Sequence, residues 1–134
     1  MRAPLRILAV EDDEQDVELL RLSLAGDGVV LEPVGAGAAA LAYLLQEGCY
    51  AGKARPDLVL LDLNMPRMDG RAFLAERRAD PGLRAVPVVV LTTSTSVRDV
   101  GDSYALGANC FVTKPVGFES FRAALAAIAR FWSS

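Results

Sequence analysis

Apolar residues fall along this chain in two rhythms. Short, mostly apolar runs occupy residues 5–10, 29–34, 58–61, 86–91 and 109–113, and each gives way to polar or turn-forming residues. Runs of that length are too brief for helices and read as strands, and the all-apolar ones read as strands buried on both faces. Pro33 interrupts the second run and places it near a sheet edge. Between the runs the period lengthens to that of a helix. Val17, Leu20 and Leu24 share one face, widened by Leu19 and Leu22, and residues 38–46 are rich in Ala and Leu. Residues 71–79 carry Phe73 and Leu74, residues 97–106 form a weaker pattern, and residues 118–131 space Phe121, Leu125, Ile128 and Trp132 helically. Asp13 is the expected N-cap of the first helix, with Asp16 in the acidic first turn that favours the helix dipole. Gly26 and Gly28, Gly48, Asp80-Pro81-Gly82 and Gly107 are the stops. Gly101 inside the fourth helical pattern costs about 1 kcal/mol relative to Ala. Residues 49–56 make a polar connection longer than most helix-to-strand loops.

Five strands alternating with five helices specify an α/β fold, a parallel sheet covered on both faces and joined by right-handed crossovers. The doubly wound order 2-1-3-4-5 suits this size, with its switch point between the first and third strands. That order gathers particular side chains at one edge. The first strand ends at Glu11 and Asp12, the third at Asp62, the fourth at Thr92 and the fifth at Lys114. Three carboxylates in one crevice repel each other unless a cation joins them, and an all-oxygen set suits a hard ion such as Mg²⁺. A metal, an ammonium and a hydroxyl converging on a carboxylate make a cradle for a phosphoryl group. Each residue alone has a plainer reading: Asp62 as a turn former, Thr92 as a turn hydroxyl, Lys114 as a solvated strand end. Their convergence is what carries weight. The nucleotide loop GxxxxGK[ST] is absent from the sequence, so an NTP held by this chain is not the expected phosphate source.

Composition narrows the field. The 134 residues are read as one domain, 1–134, with no output domain, and 52% hydrophobic content is ample for one core. A net charge of −3 and a pI near 4.9 argue against nucleic-acid binding. No apolar run is long enough to span a membrane, and a cytoplasmic location is expected. Cys49 and Cys110 fit reduced thiols better than a disulfide framework. The sequence has no histidine, which removes triad hydrolysis and the usual zinc sites.

Four motifs now stand together: Val10-Glu11-Asp12, Leu61-Asp62-Leu63-Asn64-Met65-Pro66 with Met68-Asp69-Gly70, Leu91-Thr92-Thr93, and Phe111-Val112-Thr113-Lys114-Pro115. With them the chain resembles CheY-like receiver domains, the phosphoacceptor modules of two-component response regulators, over essentially its whole length. The resemblance implies the flavodoxin-like (βα)5 fold and a signalling phosphoprotein, not an enzyme acting on other substrates. It implies that Asp62 accepts a phosphoryl group from the phosphohistidine of a sensor histidine kinase. It implies Mg²⁺ or Mn²⁺ bound by Asp12, Asp62 and the Asn64 carbonyl, with Glu11 acting through water. Lys114 would pair with phosphoryl oxygens, Pro115 would follow a cis peptide bond, and Thr92 and Phe111 would form a switch pair, with the Thr93 N–H also engaged. Phe111 stands where many receivers have Tyr, so this ring has no hydroxyl to bond.

A finer similarity points to the small regulators that partner bacterial phytochromes. It rests on Gly48-Cys49-Tyr50-Ala51, Asp80-Pro81 with the run from Val86 to Ser94, Asn109-Cys110-Phe111 and the Phe131-Trp132 ending. A bacteriophytochrome-like kinase is the implied partner. Aromatics at 118, 121, 131 and 132 are expected mostly in the core, with a homodimer through the 97–106 helix, the 109–113 strand and the last helix. A phosphorelay shuttle, or a pseudo-receiver acting by binding alone, is the alternative. A haloacid-dehalogenase-type phosphatase would need a second Asp where this chain has Asn64. A flavodoxin-type electron carrier would place a phosphate against Glu11-Asp12, which would repel it.

Overall fold

One parallel sheet carries the structure, in the order β2-β1-β3-β4-β5. Its strands are β1 Leu5–Val10, β2 Val29–Val34, β3 Leu58–Asp62, β4 Val88–Thr92 and β5 Cys110–Thr113. The computed structural model describes residues 4–24, 28–62, 70–92, 107–113 and 117–133, with the side chains at 70, 71, 92, 111, 113 and 133 outside that description. The helices within it are α1 Glu14–Leu24, α2 Gly37–Leu44, α3 Gly70–Ala79 and α4 Phe118–Ser133. The helix expected over 97–106 lies outside the described residues.

Strand alternation splits the core in two. Leu8, Val10, Val59, Leu61, Val88 and Val90 face α2 and α3, where Tyr43, Leu44, Phe73 and Leu74 meet them. Ile7, Ala9, Leu58, Leu60, Val89 and Leu91 face α1 and α4, packing on Leu20, Leu24, Phe121, Leu125 and Ile128. Central β3 is buried at all five positions, which is why its sequence is continuously apolar up to Asp62. Edge strand β2 is only partly covered, and there Pro33, lacking an N–H, does no harm.

Four expectations need correction. Leu22 does not widen the buried face of α1, because it points outward at 54% exposure. The second helix stops at Leu44, short of Gln46, because Gln46 takes the left-handed conformation (φ 57°). The amides of Gln46 and Glu47 then bond back to the Tyr43 and Ala42 carbonyls, a Schellman-type ending usually given to glycine. The Gln46 side chain donates to the Lys53 carbonyl at 2.7 Å, which helps hold that conformation. The following connection contains a 3-10 turn, Gly48–Tyr50, tied down by the Tyr43–Tyr50 ring contact at 5.2 Å. Burial, with the nearby Glu32 carboxylate, raises the Tyr43 phenol above its ordinary pKa. The fourth strand begins at Val88, not Val86, since the Val86 carbonyl is taken by a side chain. On α4 only Phe121 of the four aromatics is buried; Trp132 is half-buried, and Phe118 (42%) and Phe131 (72%) are exposed.

The side chain that claims Val86 is Arg77, on the inner face of α3 with Phe73 and Leu74 and only 3% exposed. Its Nε and Nη2 donate to the Val86 carbonyl at 2.9 and 2.6 Å, Nη1 to the Gly107 carbonyl at 2.9 Å, and Nη2 to the Arg84 carbonyl at 3.1 Å. Asn109 Oδ1 accepts from Nη2 at 3.3 Å and from the Val88 amide at 2.9 Å. The guanidinium thus stitches the end of α3 to the connection before β4 and the turn before β5. Burial lowers its pKa, and carbonyl dipoles do for the charge what a carboxylate would elsewhere. Arg77→Ala is expected to cost about 3 kcal/mol in urea unfolding, because several buried carbonyls lose their donors together. Arg77→Met, which keeps apolar contact and buries no charge, should cost less. An alanine variant within about 0.5 kcal/mol of wild type, the range of an ordinary surface substitution, would show that the guanidinium is not a structural tie.

Candidate functional site

The carboxyl edge of the sheet holds two buried acids, Glu11 and Asp62, each 5% exposed. Register brings them together. Val10 pairs with Leu61 across β1 and β3, so the next residue of each strand line is Glu11 beside Asp62. The Glu11 amide bonds to the Val34 carbonyl at 2.9 Å, carrying the β1–β2 ladder one residue past the strand. Its side chain then turns back, and Oε2 accepts the amides of Asp12 at 3.0 Å and Asp13 at 3.3 Å. Asp13 begins α1 as expected: Oδ1 accepts the amides of Gln15 at 2.8 Å and Asp16 at 3.3 Å, and its carbonyl accepts from Val17 at 2.9 Å. Those bonds satisfy helix-start donors that the backbone itself leaves open.

Capping also delivers a third acid. Side chains on a helix lean toward its N-terminus, and half-buried Asp16, three residues after the cap, leans over the end of β1. One carboxylate oxygen each from Glu11, Asp16 and Asp62 lies within 4.8 Å of the others. Asp12 falls outside that trio. It is exposed, and with Glu11, Glu14 and Val17 it lines a cavity of about 220 Å³ against the end of β2. The sequence pattern assigned Asp16 to the helix dipole alone; projecting the first turn onto the strand end was the signal that would have found it.

The β4 backbone ends at Thr92, paired with Thr113 of β5, and Phe111 pairs with Val90. These registers put Thr92 on the same edge as Asp62, whose own β4 partner is Leu91. The side chains of Thr92 and Phe111 are not described. Asn64, Thr93, Lys114 and Pro115 lie outside the described residues, and with them the expected cis peptide bond.

Three carboxylates this close repel one another, and a hard divalent cation relieves that repulsion with oxygen ligands only. The donor set therefore fits a Mg²⁺- or Mn²⁺-type ion and offers no soft ligand for zinc or copper.

Comparison with known proteins gives a consistent result. Residues 7–126 match the response regulator receiver domain family. Response regulator Rcp1 of Synechocystis sp. is 42% identical over 131 residues, covering 96% of this chain and 89% of that protein. The structure of the phosphorylated cyanobacterial phytochrome response regulator RcpA is similar with a TM-score of 0.90 at 43% identity, covering 98% of this chain and 96% of that one. The Mn²⁺-bound form of Rcp1 is similar with a TM-score of 0.86 at 41% identity and the same coverage.

If the cap sets the start of α1, Asp13→Ala should lower stability by about 1 kcal/mol in chemical denaturation. An unchanged denaturation midpoint would mean the first turn is held by packing instead.

Proposed function

We infer the function from one premise: this chain belongs to the response regulator receiver domain family, and so is a signalling protein of two-component systems. We read residues 1–134 as one receiver domain whose phosphoacceptor is Asp62. The observation that carries this is the placement of Asp62, buried at the end of the central strand beside Glu11 at the sheet's switch point.

The chemistry is in-line phosphoryl transfer. An Asp62 oxygen attacks phosphorus as the P–N bond to the kinase's histidine breaks, and the bond's electron pair leaves with the imidazole. The product is an acyl phosphate on Asp62. Glu11, Asp12, Asp62 and the Asn64 carbonyl are the residues we assign to Mg²⁺ or Mn²⁺, and the Mn²⁺-bound form of the relative Rcp1 supports an ion of that class. A divalent ion there supplies charge neutralisation for the phosphoryl oxygens. Lys114 contributes a further positive charge, and the Thr92 hydroxyl and Thr93 amide serve as donors to the transferred group. Thr92 and Phe111 then act as the switch pair that reads the modified state.

The donor kinase we propose is bacteriophytochrome-like, which the names of the relatives support: RcpA is described as a phytochrome response regulator. Among the described residues no helix is long and apolar enough to cross a membrane. We read the protein as cytoplasmic, and its net charge of −3 supports the reading that it does not contact nucleic acid directly. The output is a protein surface. Phe118 and Phe131 of α4 are exposed, and Phe131 stacks edge-on with Trp132 at 4.6 Å, an aromatic face suited to a second copy of the chain.

Acetyl phosphate with Mg²⁺, followed by intact mass measurement, is expected to add one phosphoryl group to wild type and none to Asp62→Asn. No addition to wild type would leave a receiver that signals by binding alone. For the dimer, sedimentation at tens of micromolar should give two chains per particle, and Phe131→Asp should give one. Monomers throughout, with and without a phosphoryl mimic, would remove the aromatic face as an interface.

A further inference from the structure

We propose that Arg77 is a positioning residue for phosphoryl transfer: with Asn109 it fixes the register of β5 against β4, and so the point from which the chain enters Lys114. This rests on the reading of Asp62 as phosphoacceptor and Lys114 as a charge on the transferred group. It adds two residues from the opposite edge of the sheet.

Apolar packing alone holds β5 loosely. It is an edge strand of four residues that, among the described residues, pairs with β4 alone. Its Cys110 and Val112 are only partly buried against the α1 and α4 side of the core. Contact of that kind is non-directional and tolerates a slide along the strand. The hydrogen bonds at the amino end of β5 do not. Asn109 clasps Val88 twice: its amide donates to the Val88 carbonyl at 2.9 Å, and its Oδ1 accepts the Val88 amide at 2.9 Å. Arg77 locks that clasp. On the β4 side its Nε and Nη2 donate to the Val86 carbonyl. On the β5 side Nη1 donates to the Gly107 carbonyl and Nη2 reaches Asn109 Oδ1. A guanidinium carries its donors in a fixed planar fork, so both strand entries are referred to one rigid group. A slip of β5 by one residue, about 3.3 Å, breaks the Gly107 and Asn109 bonds together.

The effect reaches the other edge because the strand is short. Thr113 pairs with Thr92 at its carboxyl end, and Lys114 is the next residue in the chain. Displacing a group by about 1 Å from its place around the reacting atoms can cost on the order of a hundredfold in rate. Glu11 and Asp62 stand at the ends of β1 and β3, whose mutual pairing Arg77 does not enter, so ion binding between them is spared.

The test compares wild type, Arg77→Met, Asn109→Leu, Asn109→Asp and Leu44→Ala by three readouts, at a temperature where circular dichroism shows each folded. Leu44 is buried on α2, over β1 and β2, so Leu44→Ala loses stability without touching β5. Asn109→Asp keeps the acceptor oxygen and should behave as wild type. The first readout is the rate of labelling by acetyl phosphate at saturating Mg²⁺. There the O–P bond to Asp62 forms as the bond to acetate breaks, and that bond's electron pair leaves with acetate. Arg77→Met and Asn109→Leu are expected to label about tenfold more slowly, with Leu44→Ala unchanged. The second readout is amide exchange, which should quicken over residues 107–113 and not in β1 or β3. The third is Mn²⁺ affinity, which should stay that of wild type. Labelling at the wild-type rate by either Arg77→Met or Asn109→Leu overturns the proposal. So does an equal slowing in Leu44→Ala, faster exchange across the whole sheet, or a fall in Mn²⁺ affinity, since each marks a general loosening. If wild type itself takes no phosphoryl group, the reading of Asp62 falls and this inference with it.

Discussion

Carboxylates buried side by side at the end of a parallel sheet are unstable neighbours, and much of this structure can be understood as the means of keeping them there. Glu11 and Asp62 sit at 5% exposure on adjacent strand ends. Like charges in such a place stay ionised only if donors or a cation balance them. The chain provides donors locally, through the amides of Asp12 and Asp13 on Glu11. The cap on α1 continues that arrangement by turning the next amides onto Asp13 and bringing Asp16 in from the side. The same features that cap a helix therefore gather the carboxylates of the edge that we propose as the site of a divalent cation and, through it, of a phosphoryl group.

The opposite edge of the sheet solves the reverse problem. There a cation, the Arg77 guanidinium, is buried and met by carbonyl oxygens of Val86, Arg84 and Gly107 and by the amide oxygen of Asn109. A buried charge is expensive unless its hydrogen bonds are complete, and here the acceptors come from the connection before β4 and the turn before β5. The result fixes the lower end of α3 to both neighbouring strand entries. Since the strands ending at Asp62 and Thr92 lie beside or rise from these entries, stiffness at this edge helps keep register at the other. Val59 and Val88, Leu91 and Val112 are paired in consequence of strand starts that Arg77 and Asn109 help set.

Membership in the receiver family gives the site a class of chemistry, and the exposed part of α4 is the surface we propose as its outlet. Phe121, Leu125 and Ile128 complete the core on the α1 side of the sheet. Phe118 and Phe131 lie on turns of the same helix that the core does not reach. An aromatic side chain left in water on one helix flank is a cost that association with a partner recovers.

Much of this was legible in the residues themselves. Continuous apolar runs marked the strands because a parallel sheet buries both faces, and Pro33 marked the edge strand because it cannot donate to a ladder. Asp62 could be placed at a strand end because the apolar run stops there, and Asp13 could be read as a cap from its position before a helical period. What the sequence could not settle depends on which surfaces meet. Nothing local distinguishes Leu22 from Leu20, or Phe131 from Phe121; neighbouring helices decide which is covered. Arg77 reads as a solvated base until distant segments fold around it. Asp16 reads as a dipole-favouring acid until register puts Glu11 beside Asp62 and the lean of the first turn carries it toward them. Periodicity is written in one chain segment at a time, whereas burial and charge clustering arise only when distant segments share a volume.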